Sequence, residues 1–290
     1  MAQTIKIGNR LIGEGQPTYV IAEIGINHNG DLETAKDMVR AAHAAGADAV
    51  KFQKRTPLLC VPPEQRDQMR ETPWGYITYL DYRYKVEFEE AEYQAIDELC
   101  KSLGMDWFAS VWDTDAIDFL ESFNPICYKV ASASLTDIEL IKKLVDTGRP
   151  LIVSTGMSTM DEIRTTMNMI PMERLIITHA TSAYPCAPDE LNLRMIETLK
   201  NEFSCPVGYS GHEVGLIPSV VSVAMGACLV ERHFTLDRAM WGSDQAASVE
   251  PGGFERLVKY IRVTEQSLGD GVKKVYDSEI PIRKKLRRVL

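Results

Sequence analysis

Pro206-Val-Gly-Tyr-Ser-Gly-His212-Glu-Val-Gly-Leu216-Ile-Pro-Ser-Val-Val-Ser-Val-Ala-Met-Gly-Ala227-Cys-Leu-Val-Glu-Arg-His233 reads as strand, helix, strand. Pro206–Tyr209 and Cys228–Val230 are short apolar runs of the kind found in strands buried on both faces. Leu216–Ala227 between them has helical length and composition. Each run leads into a histidine, His212 and His233. Parallel strands joined by a helix bring their C-terminal ends to the same side, so two neutral imidazoles meet at the mouth of the sheet. Such a pair suits a divalent metal that keeps open positions for substrate and water. The competing reading makes one histidine a helix cap and the other a core residue. It loses ground because other polar residues fall at equivalent strand ends.

The same alternation extends outward along the chain. Apolar, β-rich runs recur near 18–26, 48–53, 105–111, 126–132, 150–155, 174–180, 206–210 and 228–234. Amphipathic stretches lie between them near 32–45, 88–103, 114–122, 135–147, 159–169, 188–200 and 214–226, with a last one near 253–267. In the first, Asp31 reads as N-cap and Ala35, Met38, Val39 and Ala42 as one apolar face. The pattern predicts an α/β fold, a (β/α)8 TIM barrel forming one domain over 1–290, with a doubly wound open sheet as the alternative. Residues 1–17, with Ile5, Ile7, Leu11 and Ile12 around Gly8-Asn9, predict an N-terminal β-hairpin over the barrel bottom. Residues 54–86 form a long insertion after strand 2, and 270–290 a C-terminal tail.

Composition narrows the function. A chain of 290 residues with 45% apolar residues buries a large core. Its net charge of −9 argues against nucleic acid. No apolar run approaches a membrane span, and no secretory segment follows Met1. The cysteines at 60, 100, 127, 186, 205 and 228 lack C-x-x-C spacing, which predicts reduced, structural thiols in a cytoplasmic protein. An acidic protein that binds an anion must concentrate positive charge locally, so lysines at strand ends carry weight.

In a barrel of this kind the C-terminal strand ends form the active face. Glu23, inside an apolar run, must have a partner when buried; it reads as a general acid/base, as an orienting group, or as half of a structural salt bridge. Lys51 ends the second strand and Lys129 the fourth. Two inward lysines predict an anion between them. Hydroxyls at Ser110, Ser132, Ser154 and Ser210 would complete a phosphate and carboxylate cradle. Gly156 lets backbone approach a ligand closely. His28, in Asn-His-Asn, reads as orienting the loop after strand one.

The segments Glu23-Ile-Gly-Ile-Asn-His-Asn-Gly30, Lys51-Phe-Gln53, Lys129-Val-Ala-Ser132, Ser154-Thr-Gly-Met157, Thr181–Pro185, Ser210-Gly-His212 and Glu231-Arg-His-Phe-Thr235 together resemble the sialic acid synthase family. They occur in order across nearly the whole chain. The resemblance implies a (β/α)8 barrel and a Mn2+-type ion (or Mg2+ or Co2+) on His212 and His233. It implies phosphoenolpyruvate on Lys51, Lys129 and the strand-end serines, with Tyr184, Gln53 and Asp244 near an aldose. Ser134 and Ser182 also fall at sugar-facing positions, where the N-acetylneuraminate synthases tend to have glutamate and asparagine; the acceptor therefore stays open.

The implied reaction is condensation of phosphoenolpyruvate with N-acetylmannosamine or a related hexose, giving a sialic-type acid and phosphate. Glu23 or Asp244 handles the water. Alternatives are a 3-deoxy-octulosonate-phosphate-type synthase, a metal-dependent sugar-acid aldolase or lyase, and an inactive scaffold. The sequence ends at Arg287-Arg288-Val289-Leu290, about where the family's antifreeze-like domain would be joined. This predicts that the insertion closes the sugar side with Arg66, Arg70, Trp74, Tyr76, Tyr79, Tyr82 and Arg83. Its aromatic and arginine content suits an interface in a homo-oligomer, a dimer or larger; a lid on its own barrel and a separate protein supplying the antifreeze-like domain are the alternatives.

Overall fold

Strands that are apolar on both faces need covering on both faces, and closing into a barrel wrapped by helices supplies that. The computed structural model describes residues 3–289; Met1 and Ala2 of the expected hairpin segment and Leu290 of the expected tail lie outside the described residues. The chain starts with a hairpin, β1 (Thr4–Ile7) and β2 (Arg10–Gly13). It continues through β3 (Tyr19–Gly25), α1 (Leu32–Ala44) and β4 (Ala49–Lys54). The insertion follows, with α2 (Pro57–Cys60), β5 (Met69–Thr72), β6 (Gly75–Thr78) and α3 (Tyr79–Val86). Alternation resumes with α4 (Glu90–Leu103), β7 (Asp106–Val111), α5 (Thr114–Glu121), β8 (Tyr128–Val130), α6 (Ile138–Asp146), β9 (Leu151–Ser154) and α7 (Met160–Met167). The last elements are β10 (Leu175–Ala180), α8 (Met195–Glu202), β11 (Val207–Gly211), α9 (Ile217–Ala224), β12 (Leu229–His233), α10 (Pro251–Leu268) and α11 (Ile280–Leu286).

The parallel strands β3, β4, β7, β8, β9, β10, β11 and β12 form a closed barrel. Closure occurs between β12 and β3, where His233 pairs in register with Glu23; a doubly wound open sheet has no such pair. The helices follow the expected stripes. In α1, Asp31 accepts from Thr34 N at 2.6 Å, and Ala35, Met38, Val39 and Ala42 are buried.

Ile5, Ile7 and Ile12 of the hairpin fill the lower end of the barrel against Tyr19, Ile21, Phe108, Ile152, Ile176 and Leu229. Leu11, expected in the same apolar set, is half exposed instead. Successive strand residues face opposite sides, so burying Ile12 turns Leu11 outward.

The insertion lies back over the mouth of its own barrel. Tyr82 and Val86 bury against Ile26. Trp241, in the loop after β12, meets Trp74 at 6.0 Å and Tyr82 at 5.3 Å, both edge to face. Arg66 and Arg70, expected as sugar-side contacts, serve the insertion itself: Arg66 caps the Leu58 and Val61 carbonyls, and Arg70 stacks on Tyr79 at 3.9 Å. Tyr76, 69% exposed, points outward. The tail after α10 is exposed throughout its described length. No helix among the described residues is long and apolar enough to cross a membrane, and all six cysteines are free.

Gly30 makes this docking possible. Its φ is 72°, and a Cβ placed there would sit 1.9 Å from the Lys85 carbonyl oxygen at the end of α3. Gly30→Ala is expected to cost about 2 kcal/mol or more, through left-handed strain plus displacement of α3. Chemical denaturation checks the loss, and increased proteolysis within 54–86 reports where it falls.

Candidate active site

Register alone gathers most of the polar strand ends. Glu23 on β3 pairs with His233 on one side and Lys51 on the other. Ser110 pairs with both Gln53 and Lys129, and Ser210 with Glu231. The β3–β4 ladder shifts register between Glu23 and Gly25, and Gly25 has φ 55°. A Cβ on Gly25 would lie 3.0 Å from both Glu23 Oε1 and Gln53 Nε2, so only glycine leaves their 3.0 Å hydrogen bond undisturbed.

One cavity at the mouth is lined by Glu23, Lys51, Gln53, Ser110, Lys129, Ser132, Ser154, Tyr184, Ser210, His212 and His233. Three expected residues stand apart from this lining: Ser134, Asp244 and Ser182, whose Oγ is buried without a hydrogen-bond partner. Ser134 is buried on the short 3-10 turn after β8, two residues beyond Ser132, which takes the cavity side. Asp244 places Oδ2 4.0 Å from His233 Nδ1 in the clasped loop after β12.

The sequence predicted an anion between two inward lysines, and the protein provides carboxylates of its own. Lys51 Nζ lies 2.5 Å from Glu23 Oε2 and 3.5 Å from Glu231 Oε1. Lys129 Nζ lies 4.0 Å from Glu231 Oε1 and donates to Ser154 Oγ at 2.5 Å. Burial penalises all four charges, and the neighbours decide the outcome. Glu23 ends raised, because desolvation outweighs the pull of Lys51. Glu231 ends lowered, because Lys129 and Lys51 overcome desolvation. Lys51 ends raised despite its burial, through Glu23 and Glu231. Lys129 falls to about 8, from desolvation that Glu231 only partly offsets.

Glu231 lines the same cavity, although the sequence reading gave it no role. The signal was its spacing from His233: residues two apart on a strand face the same side. Trp112, one residue past β7, also lines the cavity unforeseen.

His212 and His233 stand with ring centroids 5.6 Å apart, and Tyr184 packs 4.2 Å from His212. His212 Nδ1 donates to the Thr181 carbonyl at 2.7 Å, which leaves the Nε2 lone pair free. Desolvation, then His233, pulls His212 down to about 3, so it stays neutral. His233 Nδ1 is buried with no hydrogen-bond partner. A neutral, oriented imidazole beside a second with an orphaned nitrogen fits a divalent cation well. His28 takes no part. It stacks on Phe88 at 4.0 Å, and its Nδ1 accepts from Gly30 N at 3.0 Å.

The two histidines are tied together beneath the cavity. Arg232 and Glu213, each 1% exposed, are their immediate chain neighbours. Arg232 Nη1 donates to Glu213 Oε1 at 2.8 Å, to the Gly215 carbonyl at 2.9 Å and to Ser219 Oγ at 2.9 Å. Its Nη2 donates to the Glu213 carbonyl at 2.5 Å. Tyr209 and Ser219 hydroxyls complete the Glu213 carboxylate, each at 2.8 Å. This network fixes the loop after His212 to the strand bearing His233.

Known proteins with similar sequences and structures point the same way. The profile of the NeuB family matches residues 38–273. The N,N'-diacetyllegionaminic acid synthase of Legionella pneumophila is 36% identical over 285 residues, 95% of this chain and 80% of that protein. The N-acetylneuraminate-9-phosphate synthase of Homo sapiens is 36% identical over 282 residues, 96% of this chain and 78% of that protein. The crystal structure of the N-acetylneuraminic acid synthetase of Leptospira borgpetersenii superposes with a TM-score of 0.87 at 31% identity, covering 100% of this chain and 99% of that one.

The Arg232 network sets an expectation that needs no substrate. Ser219→Ala removes one hydroxyl from Glu213 at small cost, whereas Arg232→Met leaves Glu213 buried and unpaired and should cost about 3–5 kcal/mol. Both variants should weaken divalent-metal binding, Arg232→Met by roughly 10- to 100-fold. Calorimetric titration of Mn2+ checks this. Unchanged affinity in a folded Arg232→Met would make the network purely structural.

Proposed function

The chain belongs to the NeuB family, and we propose that its barrel mouth condenses phosphoenolpyruvate with an open-chain aldose to give a nonulosonic acid and phosphate. The family's reaction is this phosphoenolpyruvate-dependent condensation, so the chain is a synthase-type transferase and the aldolase and octulosonate-type readings are not favoured. The observation that carries the assignment of roles is the buried quartet Glu23, Lys51, Lys129 and Glu231, set beside the facing imidazoles of His212 and His233.

Lys51 and Lys129, with the hydroxyls of Ser110, Ser132, Ser154 and Ser210, hold the phosphate and carboxylate of phosphoenolpyruvate. Positioning these groups lowers the entropic part of the barrier. The family is metal-dependent. His212 and His233 would hold the ion, Mn2+ in our reading, which supplies Lewis acidity toward the aldehyde oxygen. C3 of phosphoenolpyruvate bonds to the aldehyde carbon, and water adds at C2. The C2–O bond then breaks, so the bridging oxygen leaves with phosphate and the water oxygen becomes the ketone. The two water protons end on the new hydroxyl and on phosphate.

Glu23 takes the first of these protons. Its raised proton affinity, against the lowered affinity of Glu231, supports that division between a carboxyl that exchanges a proton and one that stays ionised. Tyr184 and Gln53 belong to the acceptor side, with Asp244 beside His233. The free cysteines support a cytoplasmic protein. The outward Tyr76 and Met69 support a homo-oligomer.

The assignment is tested with phosphoenolpyruvate labelled with 18O at the bridging oxygen, Mn2+ and a panel of aldoses. All label is expected in phosphate. His233→Ala should abolish metal-dependent turnover and metal binding with the fold retained, and retention of both would remove the histidines from the mechanism.

Lys129 adds a pH dependence. With a proton affinity near 8 in the free protein, it is charged below that pH and neutral above it. An anionic substrate needs the charged form, so kcat/KM for phosphoenolpyruvate should be level below about pH 7 and fall about tenfold per pH unit above 8. Lys129→Arg, charged throughout, should lose this alkaline limb whatever its absolute rate.

A further inference from the structure

Four buried polar atoms without a hydrogen-bond partner gather in one corner of the mouth: Arg55 Nε, Arg83 Nη2, Glu87 Oε1 and Trp112 Nε1. Such atoms are uncommon singly, and a cluster points to a missing partner. The Arg55 guanidinium stacks on Trp112 at 3.5 Å and donates through Nη2 to Gln53 Oε1 at 2.6 Å. Gln53 and Trp112 both line the cavity, so the corner adjoins it directly.

The charges in this corner do not balance. Among the described residues, the carboxylate within ion-pair distance of Arg55 and Arg83 is Glu87, which accepts from Arg55 N at 3.1 Å and lies 3.5 Å from Arg83 Nη2. Lys54, the next cation, is committed elsewhere: it donates to the Phe88 carbonyl and lies 3.9 Å from Glu89. A surplus positive charge remains in a chain whose net charge is −9. Burial, then the neighbouring Arg83, pulls Arg55 down to about 10, as expected for cations lacking a counter-ion. Burial also raises Glu87, which weakens its neutralising effect on the two arginines. Arg55 keeps part of its surface open, while Arg83 behind it is buried.

We propose that this corner receives a phosphate monoester on the acceptor, at the end remote from its aldehyde, so that the acceptor is an aldose phosphate rather than a neutral aldose. The proposal rests on the synthase reading above, which sets the aldehyde at His212 and His233 and leaves the Gln53 end of the cavity for the far end of the sugar. A phosphate suits the corner better than a carboxylate. It carries up to two charges and three acceptor oxygens, meeting Arg55 directly and drawing on the unneutralised charge of Arg83.

The test separates this proposal from the reading beneath it. The alditols of N-acetylmannosamine and of its 6-phosphate lack the aldehyde and cannot turn over, so their binding is measured by calorimetry with phosphoenolpyruvate and Mn2+ present. The phosphorylated alditol is expected to bind roughly 50-fold tighter or more. The corresponding aldoses should differ similarly in kcat/KM. Arg83→Met should reduce both ratios by about tenfold, and Arg83→Lys should retain most of the preference. The wild-type comparison needs no variant to fold. Equal binding of the two alditols, or a ratio indifferent to Arg83→Met, overturns the proposal and leaves the corner a structural cluster. Absence of phosphate release with either aldose would instead overturn the synthase reading, while the alditols would still report on the corner.

Discussion

Two lysines and two glutamates share a layer from which water is largely excluded, and the rest of the molecule is arranged around keeping that layer neutral. Lys51 leans on Glu23 at 2.5 Å and on Glu231 at 3.5 Å, with Lys129 at the edge of the same group. Removing any one would leave an uncompensated charge in a low-dielectric site, which is far costlier than the pair is stabilising. The barrel meets this constraint by register. Glu23 has His233 on one side and Lys51 on the other, so a one-residue slip of either neighbour would turn a charge into the apolar shell.

If the cavity takes phosphoenolpyruvate as proposed, the layer lets it receive an anion without holding a pair of bare cations beforehand. An incoming dianion competes with Glu23 and Glu231 for lysines that are already oriented. Lys129, the less compensated of the two, gains most from the exchange. The Arg55–Arg83 corner differs because its single carboxylate leaves a charge over. One set of cations is internally neutral, the other is not, and that contrast distinguishes where the protein has finished its own electrostatics from where a ligand would finish them.

Much of this was legible in the sequence. The alternation of apolar runs with amphipathic stretches gave the barrel, because strands buried on both faces cannot hide their composition. Residues at strand ends followed, since the fold puts those ends on one side. Glu231 escaped because it sits within an apolar run beside a more conspicuous histidine, although its two-residue spacing from His233 held the information. Asp244 and Ser134 were harder, since loops and short 3-10 turns have no fixed period to say which way a side chain points. The contacts of Arg66 and Arg70 within the insertion depend on tertiary packing that composition does not encode. Leu11 failed for a simpler reason: four apolar residues in a hairpin were read together where alternation buries Ile12 and exposes its neighbour.

The closing pair of the barrel has a consequence for how the molecule comes into being. Glu23 and His233 are register partners, yet roughly two hundred residues separate them along the chain. During synthesis the first strands leave the ribosome long before the last. Until β12 arrives, Lys51 has Glu23 alone, and neither Glu231 nor His233 is available to complete the layer. A chain made only as far as α9 lacks the strand that closes the barrel, and with it Glu231 and His233. The strand that seals the barrel is therefore the same strand that completes its polar layer.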